Sequence, residues 1–493
     1  FQSVQFPSLG LGLLQAVLRD EGIACDVRYA SLDYAKEVGF DLYQLVAVTY
    51  PTVLDMVGDW IFSSALFDED PDPEHRLLDR VRSSTPEVVG LVEEDVDAFC
   101  DGVARARTGA GSFLDHLLAD LDLDHYDLVG FTDVYMQQTA ALALARRIRE
   151  RHPDLPIVLG GPNVEDAMGR ELVRRFDFVD AVVDGEGEAV LPELVRRLVD
   201  GRGLEGLDRV VTRDSLGENR VAPRAVEPAP PHLAELDHLP LPAYDDFFAQ
   251  FGAAEVPPAY PPVLMFETSR GCWWNVRSRC AFCGLNGRYL QFRSKSVDLA
   301  VGQLRQLVER HGSHGIALAD NNQTPAFLRD FGAGLRELAP DAPVYLGIRP
   351  TLGQAQLRDM GRLKATRFIV GVESLSSDAL RFVGKGTTAA RNVRFLRTAR
   401  ELGLRVLGIQ PVPRIKQVKG QPDAAGKREK VTPKVELLSA LAPKSYFAEC
   451  LRTVRTNPTS TSNETRTPPT PVTSAVRPAG KPPLAAHPAL ALP

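Results

Sequence analysis

Short apolar segments alternate with amphipathic helical segments along this chain of 493 residues, and this alternation is the feature that most constrains its fold. The apolar runs Leu128–Thr132, Ile157–Gly161 and Phe178–Val183 have the length of buried strands. The segment Gln138–Arg151, rich in Ala and Leu, lies between the first two runs and has the spacing of a helix. Strands that alternate with helices form parallel sheets. We therefore predict a doubly wound, Rossmann-like α/β domain over residues 1–224.

The alternation restarts after a proline-rich segment. Residues 225–262 contain nine prolines, which predicts an interdomain linker. Beyond it, strands alternate with helices predicted at about 298–311, 325–338, 354–361 and 389–402. We predict a partial (β/α)6 barrel over residues 263–410, with chemistry on the loops that follow its strands. Its strands are predicted at Val263–Glu267, Gly315–Ala319, Val344–Ile348, Phe368–Val372 and Arg405–Ile409.

The composition changes near residue 410. Residues 411–493 hold 14 of the 37 prolines and 13 Lys and Arg against 5 Asp and Glu, whereas the whole chain has a net charge of −7. A segment rich in Pro, Thr, Ser and Ala without apolar periodicity buries too little surface to offset the entropy of ordering. We expect a disordered C-terminal tail. Either it is a natural proline-rich tail, or the chain has lost its proper C-terminal part, as an out-of-frame reading would produce.

The charge and hydropathy of the chain exclude several functions. A net charge of −7 provides no basic field for binding nucleic acid or an anionic membrane. No apolar run reaches the roughly 18 residues that a membrane-spanning helix needs. The sequence begins at Phe1 without the pattern of a secretory signal, so the expected location is the cytoplasm.

Small and polar residues follow the predicted strands of the first domain. Thr132, Gly160, Gly161 and the segment Asp184–Glu188 (DGEGE) all stand at carboxyl ends of strands. In doubly wound sheets, ligands bind at this edge. The glycines are also explained by turns alone, so the pattern leaves both interpretations open.

Three of the six cysteines, Cys272, Cys280 and Cys283, lie within twelve residues, directly after the first strand of the second domain. Three thiolates on one loop suit an iron–sulfur cluster and leave one iron open to a substrate or cofactor. Zinc is an alternative that needs a fourth ligand, for which His311 and His314 are candidates. Unligated core cysteines are a third possibility.

The segment Glu267–Ser296 (ETSRGCWWNVRSRCAFCGLNGRYLQFRSKS) resembles the cluster loop of radical S-adenosylmethionine (SAM) enzymes. Its C-x7-C-x2-C spacing is similar to the subgroup that matures ribosomally made peptides. The resemblance extends over about residues 1–408, through the Asp320-Asn321 pair, the segments GVESL and KG after the fourth strand, and GFT, GGPN and GEGE in the first domain. It identifies the first domain as a cobalamin-binding domain that lacks its first strand, and the barrel as truncated after Leu407.

The resemblance implies a role for each matching residue. Cys272, Cys280 and Cys283 would bind a [4Fe–4S] cluster, and SAM would bind its remaining iron. Glu373, Asp320 and Asn321 would contact SAM, while Trp273 and Trp274 would shield the cluster or pack between the domains. The cobalamin pocket would be formed by Thr132, Gly160, Gly161, Gly185 and Glu186. The D-x-H-x-x-G motif that supplies an axial histidine to cobalamin is absent upstream, so we expect cobalamin without a protein histidine.

The function implied is C-methylation of a ribosomally synthesised precursor peptide, with flavodoxin or ferredoxin as reductant. Nucleic acid and membrane are not expected partners, and the sequence identifies no catalytic residue. A radical rearrangement or cyclisation with the same cofactors is an alternative. A truncated relic that serves as a peptide-binding scaffold is the non-enzymatic alternative.

Overall fold

The structure is a computed structural model that describes residues 1–89, 93–217, 236–275, 278, 280, 281, 283, 291–312, 315–339, 341–361, 367–411, 414–416, 434–436 and 489–492. The strands are β1 (Cys25–Val27), β2 (Leu128–Thr132), β3 (Ile157–Gly160), β4 (Ala181–Val183), β5 (Val210–Thr212), β6 (Leu264–Phe266), β7 (Ser269–Arg270), β8 (Arg293–Ser294), β9 (Ile316–Leu318), β10 (Val344–Ile348), β11 (Arg367–Glu373), β12 (Arg405–Pro411), β13 (Arg414–Lys416), β14 (Lys434–Glu436) and β15 (Ala489–Leu492). The α-helices are α1 (Leu9–Asp20), α2 (Ala30–Val38), α3 (Phe40–Val48), α4 (Tyr50–Leu54), α5 (Val57–Leu66), α6 (Arg76–Val89), α7 (Glu93–Asp120), α8 (Gln138–Arg151), α9 (Ala167–Arg175), α10 (Leu191–Val199), α11 (Asp245–Ala253), α12 (Val297–His311), α13 (Pro325–Leu338), α14 (Gln354–Gly361), α15 (Ser377–Phe382) and α16 (Ala389–Glu401).

The first sheet has the strand order β1-β15-β2-β3-β4-β5, and all its pairs are parallel except β4 with β5. Strand β3 is almost wholly apolar because helices cover both faces of a parallel sheet. The predicted α/β class is confirmed, and β2 and α8 have the predicted bounds.

Helices α2 to α7 follow β1 and precede β2 in the sequence, and they form a helical layer that was not predicted. Their aromatic side chains build much of the first core, with Tyr34 in contact with both Phe62 and Phe113. The Tyr34 hydroxyl donates to the carbonyl of Ala106 on α7 at 3.0 Å, which ties the layer together. The described residues contain no helix that is both long and apolar enough to cross a membrane.

The second sheet has the order β12-β11-β10-β9-β6, entirely parallel, as expected for part of an α/β barrel. Strand β10 and helices α13 and α14 have the predicted bounds, and α12 and α16 differ from prediction by one residue at one end. Buried Phe266, Phe331 and Phe368 lie in the core between this sheet and its helices.

The predicted linker is not only a linker. Its residues 245–253 form α11, which packs on the first sheet through Phe247. The Asp246 carboxylate accepts the backbone N–H of Val27 at 2.9 Å. Gln250 accepts the N–H of Tyr29 at 2.8 Å and donates to the carbonyl of Val27 at 2.7 Å. Helix α11 therefore supplies hydrogen-bond partners that β1 would otherwise lack.

One short segment of the predicted tail pairs with strands of the first sheet. Strand β15 lies between β1 and β2, with Cys25 opposite Ala489 and Val129 opposite Leu490. The sequence reason is a short apolar run, ALAL, between two prolines, and the structural reason is a sheet position with backbone to pair on both sides. Strands β13 and β14 form an antiparallel pair, and the remaining residues of 417–493 lie outside the described part of the chain.

Replacing Gln250 with Ala should lower the free energy of unfolding by about 1–2 kcal/mol, because the N–H of Tyr29 and the carbonyl of Val27 both lose a partner. Urea denaturation followed by circular dichroism measures the change. The control is Gln354→Ala, on an exposed position of α14. Equal stabilities of the two variants would show that α11 does not support β1.

Candidate functional site between the two sheets

A cavity of about 490 Å³ lies where the carboxyl ends of the two sheets face each other. It brings together all five residues predicted for cobalamin, namely Thr132, Gly160, Gly161, Gly185 and Glu186. From the second domain, its lining includes Glu267, Arg270, Gly271, Arg293 and Asn321. The cavity is thus shared by both domains, at the edge where parallel sheets bind ligands.

Two adjacent glycines at the end of β3 are required for different reasons, one by the open cavity and the other by its backbone conformation. A Cβ atom at Gly160 would have no atom within 4 Å, so the absence of a side chain leaves open space there. Gly161 has a φ of 110°, and a Cβ atom there would lie 2.5 Å from the carbonyl oxygen of Asp133. The N–H of Asp133 donates to the carbonyl of Gly160 at 2.7 Å, which holds the end of β2 against the end of β3.

The three predicted cluster cysteines follow β7 and are not paired in disulfides. Cys272 and Cys280 are buried, while Cys283 is partly exposed. The backbone of Cys272 forms an isolated parallel β-bridge with that of Asn322, which follows β9. The side-chain amide nitrogen of Asn322 also lies 3.7 Å from the Cys272 sulfur. Burial raises the pKa of the Cys280 thiol, although Lys385 and Arg349 act in the opposite direction.

The zinc alternative finds no support in this geometry. His311 stacks on Phe248, with ring centroids 4.4 Å apart, and its Nε2 lies 3.9 Å from the Asp245 carboxylate. His314 lies outside the described residues. Within the described part of the chain, no three His, Cys, Asp or Glu side chains meet closely enough to hold one metal ion. A cluster places its cysteines on different irons and does not require them to meet at one atom.

The segment between β7 and β8 that holds Cys272, Cys280 and Cys283 is called the cysteine loop below. Trp274 fixes this loop to the turn after α15. Its indole N–H donates to the carbonyl of Gly384 at 3.1 Å, and the Arg349 guanidinium lies 4.7 Å from the ring centroid. Gly386 has a φ of 70°, and a Cβ atom there would collide with the Trp274 ring. Arg349 was not among the predicted site residues, although its position directly after β10 is a signal for it.

Glu373, predicted to contact SAM, is the last residue of β11 and is buried. Its φ of 61° lies in the left-handed region, a strained conformation that clusters at functional sites. Its Oε1 accepts a hydrogen bond from the Lys385 ammonium at 2.7 Å. Gly371 leaves the room for this pair, because a Cβ atom there would lie 2.8 Å from both the Glu373 oxygen and the Lys385 nitrogen.

The predicted pair Asp320 and Asn321 divides into two roles. Asn321 lines the cavity. Asp320 instead accepts the backbone N–H groups of Thr268 at 2.7 Å and Ser269 at 2.9 Å, and the Thr268 hydroxyl also donates to it. Its carboxylate therefore holds the chain just before the cysteine loop. Burial raises the pKa of Asp320 to about 6, while the hydrogen bonds from Thr268 and Ser269 act to lower it.

A buried group of charges connects the two domains. The Arg270 guanidinium lies 2.5 Å from Glu188, 2.7 Å from Glu267 and 3.3 Å from Glu186. Arg293 binds both carboxylate oxygens of Glu186. Burial acts to lower the pKa of Arg270, but its three carboxylates raise it well above its ordinary value. Burial acts to raise the pKa of Glu186, and the two arginines lower it below its ordinary value. The Glu186 carboxylate, predicted to serve cobalamin, is therefore engaged by arginines of the second domain.

The second domain matches a known protein family. Residues 266–414, which hold the three cysteines and Glu373, match the family model of the Radical SAM superfamily. This region is a radical SAM domain. The chain is 29% identical over 352 residues to an uncharacterised methyltransferase of Pyrococcus horikoshii, covering 68% of this chain and 71% of that protein. Over 182 residues it is 25% identical to the cobalamin-dependent radical SAM methyltransferase TokK of Streptomyces tokunonensis, covering 37% of this chain and 25% of TokK.

Among solved structures, the chain matches that of the cobalamin-dependent SAM radical enzyme OxsB with aqua-cobalamin bound. It has a TM-score of 0.48 and 21% sequence identity, and the match covers 60% of this chain and 42% of OxsB. The chain thus spans less than half of OxsB and a quarter of TokK. The radical SAM resemblance and the homology to methyltransferases are confirmed, whereas the roles of single residues and the peptide substrate stay predictions.

Replacing Gly161 with Ala should lower the free energy of unfolding by about 2 kcal/mol or more, because the new Cβ atom meets the Asp133 backbone at a positive φ. Gly160→Ala is the matched control, since its Cβ atom enters open space. Urea denaturation compares the two variants. Equal losses would contradict this account of the β2–β3 junction.

The stability of the second domain should depend on the ionisation of Asp320. With a pKa of about 6 in the folded protein and 3.8 in the unfolded chain, the folded state holds more protons between these values. The stabilisation of the wild type relative to Asp320→Asn should therefore be largest below pH 4 and fall as the pH rises to 7. Urea denaturation followed by tryptophan fluorescence measures it.

The control for this pH dependence is Asp330→Asn, which changes an exposed carboxylate of α13. A difference between wild type and Asp320→Asn that is constant from pH 4 to 7 would contradict the raised pKa.

Proposed function

We propose that this chain is a cobalamin-dependent radical SAM methyltransferase that methylates a carbon atom of a ribosomally synthesised peptide. The observation that carries the proposal is the shared cavity, whose walls come from strand ends of both domains. A cobalamin bound at the ends of β2, β3 and β4 would face the segment that leads into the cysteine loop. The homology to TokK, named as a cobalamin-dependent methyltransferase, supports the same cofactor here.

The residues of the first domain fit a large, flat cofactor. Gly130, Gly160, Gly185 and Gly187 line the cavity without side chains, so a ligand can approach the backbone closely. Among the described residues that line the cavity, none is a histidine. That cobalamin binds without a histidine ligand from the protein is part of the same proposal, and it rests on the absence of the D-x-H-x-x-G motif from the sequence.

The residues of the second domain fit a cluster on Cys272, Cys280 and Cys283. When bound, the cluster supplies the electron that cleaves SAM into a species able to remove hydrogen from an unactivated carbon, and cobalamin supplies the methyl group. Burial raises the pKa of Cys280, and Lys385 and Arg349 act against this rise, so they offset part of the cost of forming the thiolate that binds iron. Trp274 holds the loop against the turn at Gly384 through its indole N–H.

Glu373 is held in position for a ligand near the cysteine loop. Its backbone is strained, its carboxylate is buried and one oxygen is bound to Lys385. We propose that Glu373 contacts SAM, and that Asn321 contacts either SAM or cobalamin from the cavity wall. The peptide substrate and a flavodoxin or ferredoxin reductant belong to the same proposal and rest on the sequence resemblance.

Anaerobic reconstitution of the full chain tests the function. Wild type should bind four irons, four sulfides and one cobalamin per chain, and should add one CH2 to its peptide, as measured by mass spectrometry. Cys280→Ala should lose iron and SAM cleavage together, because a three-cysteine site has no spare ligand, while it keeps cobalamin. Cys100→Ala, at a buried position of α7 away from the cavity, is the control that should keep all of them.

Each failure of this experiment has a distinct meaning. Stoichiometric zinc without iron would overturn the cluster. A product of unchanged mass formed with consumption of SAM would favour rearrangement over methylation. Absence of both iron and cobalamin would favour a protein that retains only the scaffold.

A further inference from the structure

The two ends of the cysteine loop are joined by a short two-stranded ladder, which is called the neck below and consists of β7 and β8. Strands β7 and β8 pair antiparallel, with Ser269 opposite Ser294 and Arg270 opposite Arg293. All three cluster cysteines lie between these two strands in the sequence. The two arginines of the neck are therefore neighbours across a short ladder, and Cys272 follows Arg270 by two residues.

Both arginines of the neck bind the same carboxylate of the other domain. Glu186 accepts hydrogen bonds from Arg293 and lies 3.3 Å from Arg270. Glu188 adds a second contact to Arg270 at 2.5 Å. The side chains of Arg270, Arg293 and Glu188 are exposed by only 15%, 5% and 10%. A buried pair of this kind fixes geometry strongly, because separating the partners leaves an uncompensated charge.

The same residues line the cavity proposed for cobalamin. Glu186 and Glu188 stand on the loop after β4 beside Gly185 and Gly187, and Arg270 and Arg293 stand on the opposite wall. A ligand in the cavity would therefore touch both the loop that carries Glu186 and Glu188, here called the acidic loop, and the neck that this loop holds. A displacement of the acidic loop by the ligand would act directly on the two stems of the cysteine loop.

We propose that Glu186 and Glu188 are positioning residues that set the neck of the cysteine loop, and thereby couple cobalamin binding in the cavity to cluster binding on the loop. The inference rests on the proposed function for the identity of both ligands. Coupling of this kind is reciprocal, so each ligand changes the affinity for the other by the same factor. Neither carboxylate needs to touch the reacting atoms.

The test measures the affinity of the full chain for hydroxocobalamin by equilibrium dialysis under anaerobic conditions, with and without a reconstituted cluster. In the wild type the two dissociation constants should differ by about fivefold or more. In Glu186→Gln and Glu188→Gln the ratio should approach one. A purely structural role would change both constants together and leave their ratio intact.

Two further sets of variants make the test specific. Glu171→Gln is the control, since Glu171 pairs with Arg174 and Arg175 on the exposed face of α9. The charge exchange Glu186→Arg with Arg293→Glu should recover part of the ratio that each single change removes. A ratio that survives in both Glu186→Gln and Glu188→Gln would overturn the proposal.

Hydrogen–deuterium exchange of the protein without either cofactor tests the neck independently. Glu186→Gln should speed amide exchange at residues 269–271 and 293–295, and leave β2 and β3 unchanged. Unchanged exchange at the neck would overturn the proposal even if cobalamin binds. Faster exchange at the neck in a protein that binds no cobalamin would instead overturn the proposed cofactor and retain the positioning role.

Discussion

Arg270 lies among three carboxylates, of which Glu267 belongs to its own domain and Glu186 and Glu188 belong to the other. This buried contact joins the two domains where the strand ends of their sheets meet. It joins the acidic loop after β4 to the strand that leads into the cysteine loop, so the carboxyl ends of both sheets open into one cavity. Because a buried arginine needs its full set of partners, a different arrangement of the domains would leave charges unpaired.

The cysteine loop is held from its other side by contacts of a different kind. Trp274 binds Gly384 and stacks under Arg349, and Gly386 has no side chain where the indole lies. Lys385, which stands between Gly384 and Gly386 in the sequence, pairs with Glu373 at the end of β11. The loop is therefore fixed at its neck by ion pairs with the first domain and beyond its first cysteine by an aromatic contact with its own barrel. This arrangement suits the proposed function, in which a cofactor of one domain would face a cofactor of the other.

Much of the fold follows from local pattern. The bounds of β2, β10 and α8 agree with prediction because each is an uninterrupted apolar or amphipathic segment with clear ends. Helices α2 to α7 were not predicted, since their sequence carries no strand signals to alternate with. Helix α11 was missed because the prolines around it suggest a linker, and β15 was missed because four apolar residues in a proline-rich tail gain a partner only when β1 and β2 are already in place.

The sequence by itself determined the alternation of strands and helices in the second domain, the position of the three cysteines after the first barrel strand, and the strand ends that line the cavity. These depend on residue type and spacing, which act locally. Only the tertiary structure decided that Asp320 holds the backbone of Thr268 and Ser269 while Asn321 faces the cavity, although the two are neighbours in sequence. It also decided that Glu186 binds Arg293, 107 residues away. Such partners are chosen by burial, because a charge removed from water is stable only beside whichever opposite charge the folded chain brings to it.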